Sequence, residues 1–137
     1  MKLITKNSDY AVRALVYLAA NPEGFVSAAA ISNGQGIPYS FLRRLLQDLI
    51  QQGLVESREG AAGGVKLAKP ASQISVAKVM EIFQGGIQIS ECMFRRKLCK
   101  NRGRCVLRKE ILRIEGLIKK EFEAITVSKL LNAMGPS

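Results

Sequence analysis

The chain has 137 residues, 47% of them apolar, and 21 Lys and Arg against 11 Asp and Glu, for a net charge of +10. That length suits one compact domain with an appended arm, and the cationic excess points to a polyanionic partner, duplex nucleic acid first. Histidine is absent, which excludes every His-based triad, acid–base pair and metal ligand; the longest early apolar run, Ala14–Ala20, is about a third of a membrane span. With no export signal visible, a cytoplasmic protein with reduced thiols and no membrane contact is expected.

Taken in order, apolar residues at Tyr10, Ala11, Ala14, Leu15, Leu18 and Ala19 predict a helix over residues 7–20. Asn7, Ser8 or Asp9 is expected to cap it or to lie in its first turn, where an acid is favoured. Asn21-Pro22-Glu23-Gly24 stops it. Ser27 is the expected N-cap of a short helix through Ile31, ended by Asn33-Gly34-Gln35-Gly36. Pro38 stands where a first helical position belongs, and Phe41, Leu42, Leu45, Leu46, Leu49 and Ile50 give a strongly amphipathic helix closed by Gly53. Two helices joined by a tight glycine-containing turn predict a helix-turn-helix.

Leu54–Ser57 and Val65–Leu67 read as a hairpin around the glycine-rich tip 60–64, the wing of a winged-helix DNA-binding unit. After the turn Lys69–Ser72, Ser75 is expected to cap a helix through Val76, Val79, Met80, Ile82 and Phe83. Residues 84–103 lack a period. Leu107, Ile111, Ile114, Ile118, Phe122 and Ile125 then recur at steps of three and four, a long helix with an apolar stripe. Thr126 is the expected cap of a last short helix through Leu131, and Gly135-Pro136-Ser137 is expected to fray. The fold class is therefore mainly α with a small β wing: a winged helix-turn-helix plus a long dimerisation helix. Its expected divisions are a DNA-binding domain at 1–83, a cysteine loop at 84–105, and dimerisation and C-terminal helices at 106–137. The long helix exceeds what so small a winged domain can cover, so a second copy of the chain is expected on its stripe.

On the exposed start of the second amphipathic helix lie Tyr39, Ser40, Arg43 and Arg44. Residues placed there reach base edges: Arg can pair bidentately with guanine, and Ser or Tyr can meet phosphate. Arg58, before the wing glycines, is a cation able to enter a minor groove; Glu59 beside it opposes that role.

All three cysteines fall in one stretch, Cys92-Met-Phe-Arg-Arg-Lys-Leu-Cys99-Lys-Asn-Arg-Gly-Arg-Cys105, with six basic and no acidic side chains. Thiolate is the metal-binding form of cysteine, and cations favour it. An odd number of cysteines argues against a disulfide framework. Three readings of the loop stand: unligated or redox-active thiols, structural zinc, and an iron–sulfur cluster. Zinc sites usually use paired C-x2-4-C knuckles, narrower than the C-x6-C-x5-C here, whereas clusters accept wider spacing and one non-Cys ligand. Without histidine, a fourth ligand has to be an oxygen donor, a small molecule or water, and Asp9 and Glu91 are the candidates.

The chain resembles the winged-helix regulators of the Rrf2 family over nearly its whole length. The resemblance is carried by Lys2-Leu3-Ile4-Thr5-Lys6 leading into Asp9-Tyr10-Ala11-Val12-Arg13-Ala14-Leu15, and by Ile37-Pro38-Tyr39-Ser40-Phe41-Leu42 with the Leu45–Leu49 spacing. Gly53-Leu54-Val55, the glycine wing and the three-cysteine loop complete it. It implies a homodimer joined through the long helix, with an iron–sulfur cluster near the interface held by Cys92, Cys99 and Cys105. IscR-like members add a histidine three residues after the last cysteine, a position held here by Arg108, which cannot ligate. NsrR-like members use an aspartate at the start of the first helix of the partner subunit, on a 4Fe–4S cluster; Asp9 falls on that position. The implied arrangement is thus NsrR-like, with 4Fe–4S favoured over 2Fe–2S. The sequence departs from the pattern in a first cysteine gap one residue longer, in Glu59 where the family wing carries Arg, and in Val65 where it carries an aromatic.

These readings combine in a non-enzymatic transcriptional regulator, a repressor, that binds double-stranded DNA as a homodimer and senses nitric oxide, redox state or iron–sulfur status. A cluster-free thiol-sensing regulator and a small iron–sulfur electron carrier are the alternatives.

Overall fold

The computed structural model describes residues 2–89 and 105–135. Cys92, Cys99 and Glu91, and the chain end at Pro136 and Ser137, lie outside the described residues.

Helix α1 (Lys6–Ala20) forms the centre of the domain. Its apolar spacing buries Ala11, Ala14, Leu15 and Leu18 on one face. Of the two places expected for Asn7, Ser8 and Asp9 they take the first turn, and the N-cap is Thr5, its hydroxyl accepting from the Ser8 amide. Ser8 is instead fully buried, and Asp9 lies in the first turn. Helix α2 (Ala28–Gln35) is capped by Ser27 and runs through Asn33 and Gly34 before Gly36 ends it in the left-handed region, φ 64°. A side chain at Gly34 would collide with the Tyr17 ring, so this glycine serves the close crossing of α1 and α2 rather than a helix stop.

Helix α3 (Tyr39–Gln51) follows at once, with Pro38 as its N-cap residue rather than its first helical one. It buries Leu42, Leu45, Leu46 and Leu49 against the domain. Phe41, expected on that apolar face, is 41% exposed. Its ring meets Tyr10 of α1 edge-on at 6.5 Å, outside the core.

Strands β1 (Val55–Arg58) and β2 (Gly64–Leu67) pair antiparallel, Val55 opposite Leu67 and Arg58 opposite Gly64. Val26 adds a third, single-residue pairing, exchanging two backbone hydrogen bonds of 2.8 Å with Val65. Gly64, at φ 150°, lies so close under the Val26 carbonyl that a Cβ would overlap it. Helix α4 (Val76–Gln84), capped by Ser75, packs on α1.

Helix α5 (Val106–Ala124) has no buried residue. Helix α6 (Val127–Ala133), capped by Thr126, returns to pack on α1, where Val127 joins the core beside Leu15. Paired backbone bonds, Val76 to the Ile125 carbonyl at 2.8 Å and Val127 to the Ile74 carbonyl at 2.9 Å, hold the α5–α6 corner to the start of α4. Among the described residues no helix is long and apolar enough to cross a membrane.

Candidate functional site

The helix-turn-helix presents one outward face. Tyr39, Ser40, Arg43 and Arg44 are all exposed on the first two turns of α3, because the leucines at 42, 45, 46 and 49 take the inward side. The Arg43 guanidinium lies 5.9 Å from the Tyr39 ring centroid, one helical turn away. Lys6 extends this basic and aromatic surface, with its ammonium 5.6 Å from Tyr10 and 5.7 Å from Phe41. Sequence pattern gives Lys6 no binding role and reads Phe41 as core. Arg58 and Glu59 are exposed on the wing.

Asp9 is on the exposed side of α1, its carboxylate 3.5 Å from the guanidinium of Arg13 one turn later. Arg13 also donates to the carbonyl of Gln35, the last residue of α2. An aspartate proposed as a ligand is thereby joined, through one arginine, to the turn that sets α3 in place. The spacing of Asp9 and Arg13 is a helical ion-pair signal. The Gln35 contact has no local sequence signal.

The described residues flanking the cysteine stretch are anchored. Gln84, at the end of α4, is the pivot: its amide oxygen accepts from the Ser8 hydroxyl at 2.7 Å, the Thr5 amide at 3.1 Å and the Thr5 hydroxyl at 3.3 Å. Its amide nitrogen donates to the Leu3 carbonyl at 2.9 Å. The start of α1, with Asp9 in its first turn, is thus tied to the residue that leads into the cysteine stretch. Further on, the Ile89 amide donates to Glu115 of α5 at 2.9 Å. On the far side Cys105 is the N-cap of α5, its sulfur accepting from the Arg108 amide at 3.4 Å.

Cys105 is thus held at a helix N-terminus, where unpaired backbone N–H groups gather. Arg108 has a buried Nε with no acceptor among the described residues. A buried guanidinium N–H without a partner costs free energy, so a thiolate-bound cluster, an anionic acceptor, fits the chemistry beside Cys105. With Cys92 and Cys99 outside the described residues, no three side chains of metal-binding type come together among those described.

The Rrf2 family, described as iron-dependent transcriptional regulators, matches residues 4–133. The chain is 37% identical to a putative HTH-type transcriptional regulator of Haemophilus influenzae over 96% of its own length and 87% of that protein's. It is 33% identical to the HTH-type transcriptional regulator IscR of Photorhabdus laumondii, over 94% of this chain and 79% of that one. Protein aau3 of Rhizobium meliloti is 39% identical over 65% of this chain, a match that spans 58% of the relative. Among solved structures, T. potens IscR superposes with a TM-score of 0.78 at 25% identity, covering 98% of this chain and 88% of that one. CymR of B. subtilis, described as the global cysteine regulator, gives 0.82 at 23% identity, covering 97% and 98%.

Proposed function

The chain belongs to the Rrf2 family of transcriptional regulators, and on that premise we propose that it is a homodimeric, DNA-binding repressor whose affinity depends on an iron–sulfur cluster. Residues 1–83 bind DNA, 84–105 hold the cluster and 106–137 carry the dimer contact. The ligands are Cys92, Cys99 and Cys105, completed by Asp9 of the partner subunit, an NsrR-like set suited to 4Fe–4S more than to 2Fe–2S. When bound, the cluster supplies a centre sensitive to nitric oxide, oxidants or iron shortage.

The observation that carries this reading is the chain of contacts from Asp9 through Arg13 to the Gln35 carbonyl. An Asp9 carboxylate taken up as a ligand would leave Arg13 with the Gln35 carbonyl and the Tyr10 ring and would tie α1 to the other subunit, fixing the spacing of the two recognition helices. A released Asp9 returns to Arg13 and frees that spacing. At a coupling of about 1–3 kcal/mol this changes DNA affinity roughly 5–150-fold. On the DNA, Arg43 and Arg44 reach base edges in the major groove, and Tyr39 and Ser40 meet phosphate.

Anaerobic purification followed by iron and acid-labile sulfide analysis tests the reading. The wild type should carry a cluster with visible absorbance, Cys99→Ser should lose it, and Asp9→Ala should stay folded and dimeric with a shorter cluster lifetime. Iron content unchanged in Cys99→Ser would remove the ligand assignment. DNA affinity that follows thiol oxidation in iron-free protein would establish the cluster-free thiol sensor in its place.

A further inference from the structure

The wing holds an arrangement that the recognition helix does not explain. Val65 faces the core and Val26 pairs with it, so strand alternation turns Phe25, Lys66, Glu56 and Arg58 to the outer face of the hairpin. There the Arg58 guanidinium carbon lies 4.4 Å from the centre of the Phe25 ring, a stacking distance. Its NH2 nitrogen donates to the Ala62 carbonyl at 3.3 Å, across the wing tip. The Lys66 ammonium sits 5.0 Å from the same ring, but the Glu56 carboxylate 3.3 Å away neutralises it. Among the described residues, Arg58 is therefore the cation on this face with no ion-pair partner. Guanidinium has five N–H donors in a planar fork, and one of them is spent on Ala62.

We propose that Phe25 is a positioning residue for DNA binding: it holds Arg58 flat on the flank of the wing, where the arginine clamps a backbone phosphate rather than entering the minor groove. A long arginine left free loses rotamer entropy on binding; one already stacked loses less. The minor-groove role is disfavoured by the docked side chain and by Glu59, an exposed residue of the tip whose charge repels the groove. The proposal rests on the DNA-binding reading above and adds the class of contact and the residue that prepares it.

Phosphate contacts are independent of sequence, so the test needs no operator. Binding of the full chain to a mixed-sequence duplex of about 30 base pairs is followed by fluorescence anisotropy between about 50 and 200 mM salt. Arg58→Ala should lower the slope of log affinity against log salt by about two for a dimer, one contact per protomer. Phe25→Leu, which keeps an apolar side chain and removes the ring, should weaken binding roughly five- to thirtyfold. Phe25→Tyr should restore it, and Phe25→Leu should add nothing in an Arg58→Ala background. Unchanged affinity and slope in Phe25→Leu, or an equal loss with and without Arg58, overturns the positioning role. Loss confined to AT-rich flanks in Arg58→Ala overturns the phosphate assignment. A wild-type chain that binds no duplex at any salt overturns the DNA-binding reading itself, an outcome distinct from the others.

Discussion

Gln84 shows how much one side chain can decide. Its amide satisfies the Ser8 hydroxyl, which has no contact with solvent, and joins the start of α1 to the end of α4. Gln84→Ala leaves that hydroxyl and the Thr5 amide without their acceptor, while the Thr5 hydroxyl keeps the Ser8 oxygen at 3.2 Å; the cost is about 1–3 kcal/mol, read as a lower urea midpoint at unchanged m. If Asp9 in the same first turn is a ligand, the same variant should also shorten cluster lifetime, because that turn of α1 loses its tether. Full stability in Gln84→Ala would show that water replaces the amide. The Asp9–Arg13 pair, half exposed, contributes little to stability in itself and matters for what it connects.

At the scale of elements, α5 is the anomaly. Ile111, Ile118 and Phe122 are half-buried on the side that meets α4, whereas Val106, Leu107, Ile114 and Leu117 stay exposed, Leu107 at 63% and Leu117 at 52%. The stripe expected from periodicity is thus divided between an inner and an outer side. The outer side fits a second copy of the chain, since an apolar face of this extent is costly in water. Replacing both Ile114 and Leu117 by Lys should weaken the dimer roughly a hundredfold or more while α1–α4 stay folded. Sedimentation equilibrium measures this, and an unaltered dimer in the variant would exclude this face as the contact.

For the whole molecule the governing quantity is charge. A net +10, with Arg43, Arg44 and Arg58 all on the exposed surface of the winged unit, makes DNA affinity a function of salt. Six such cations in a dimer give a slope near −5, so affinity should fall roughly a thousandfold between 50 and 200 mM salt. A slope near zero on the same duplex would mean that these arginines, at base edge or phosphate, displace no counterions and do not lie on the DNA.

What depends on neighbours along the chain is legible in the residues alone. Helical spacing located α1, α3, α4 and α5; Ser27, Ser75 and Thr126 marked three N-caps; the glycine tip between alternating residues marked the wing. Those signals are local because caps and periods act within one or two turns. Local logic leaves Ser8 a choice between cap and first turn, and a partner 76 residues away decides it by drawing the side chain inward, so that Thr5 caps. Phe41 likewise reads as core by period and lies outside it, because the domain is not wide enough to cover that edge of α3. Arg13 on the Gln35 carbonyl and Phe25 under Arg58 join separate elements across the fold. These pairs come from the folded arrangement, since their energy depends on distances that chain closure sets and that no spacing along the sequence encodes.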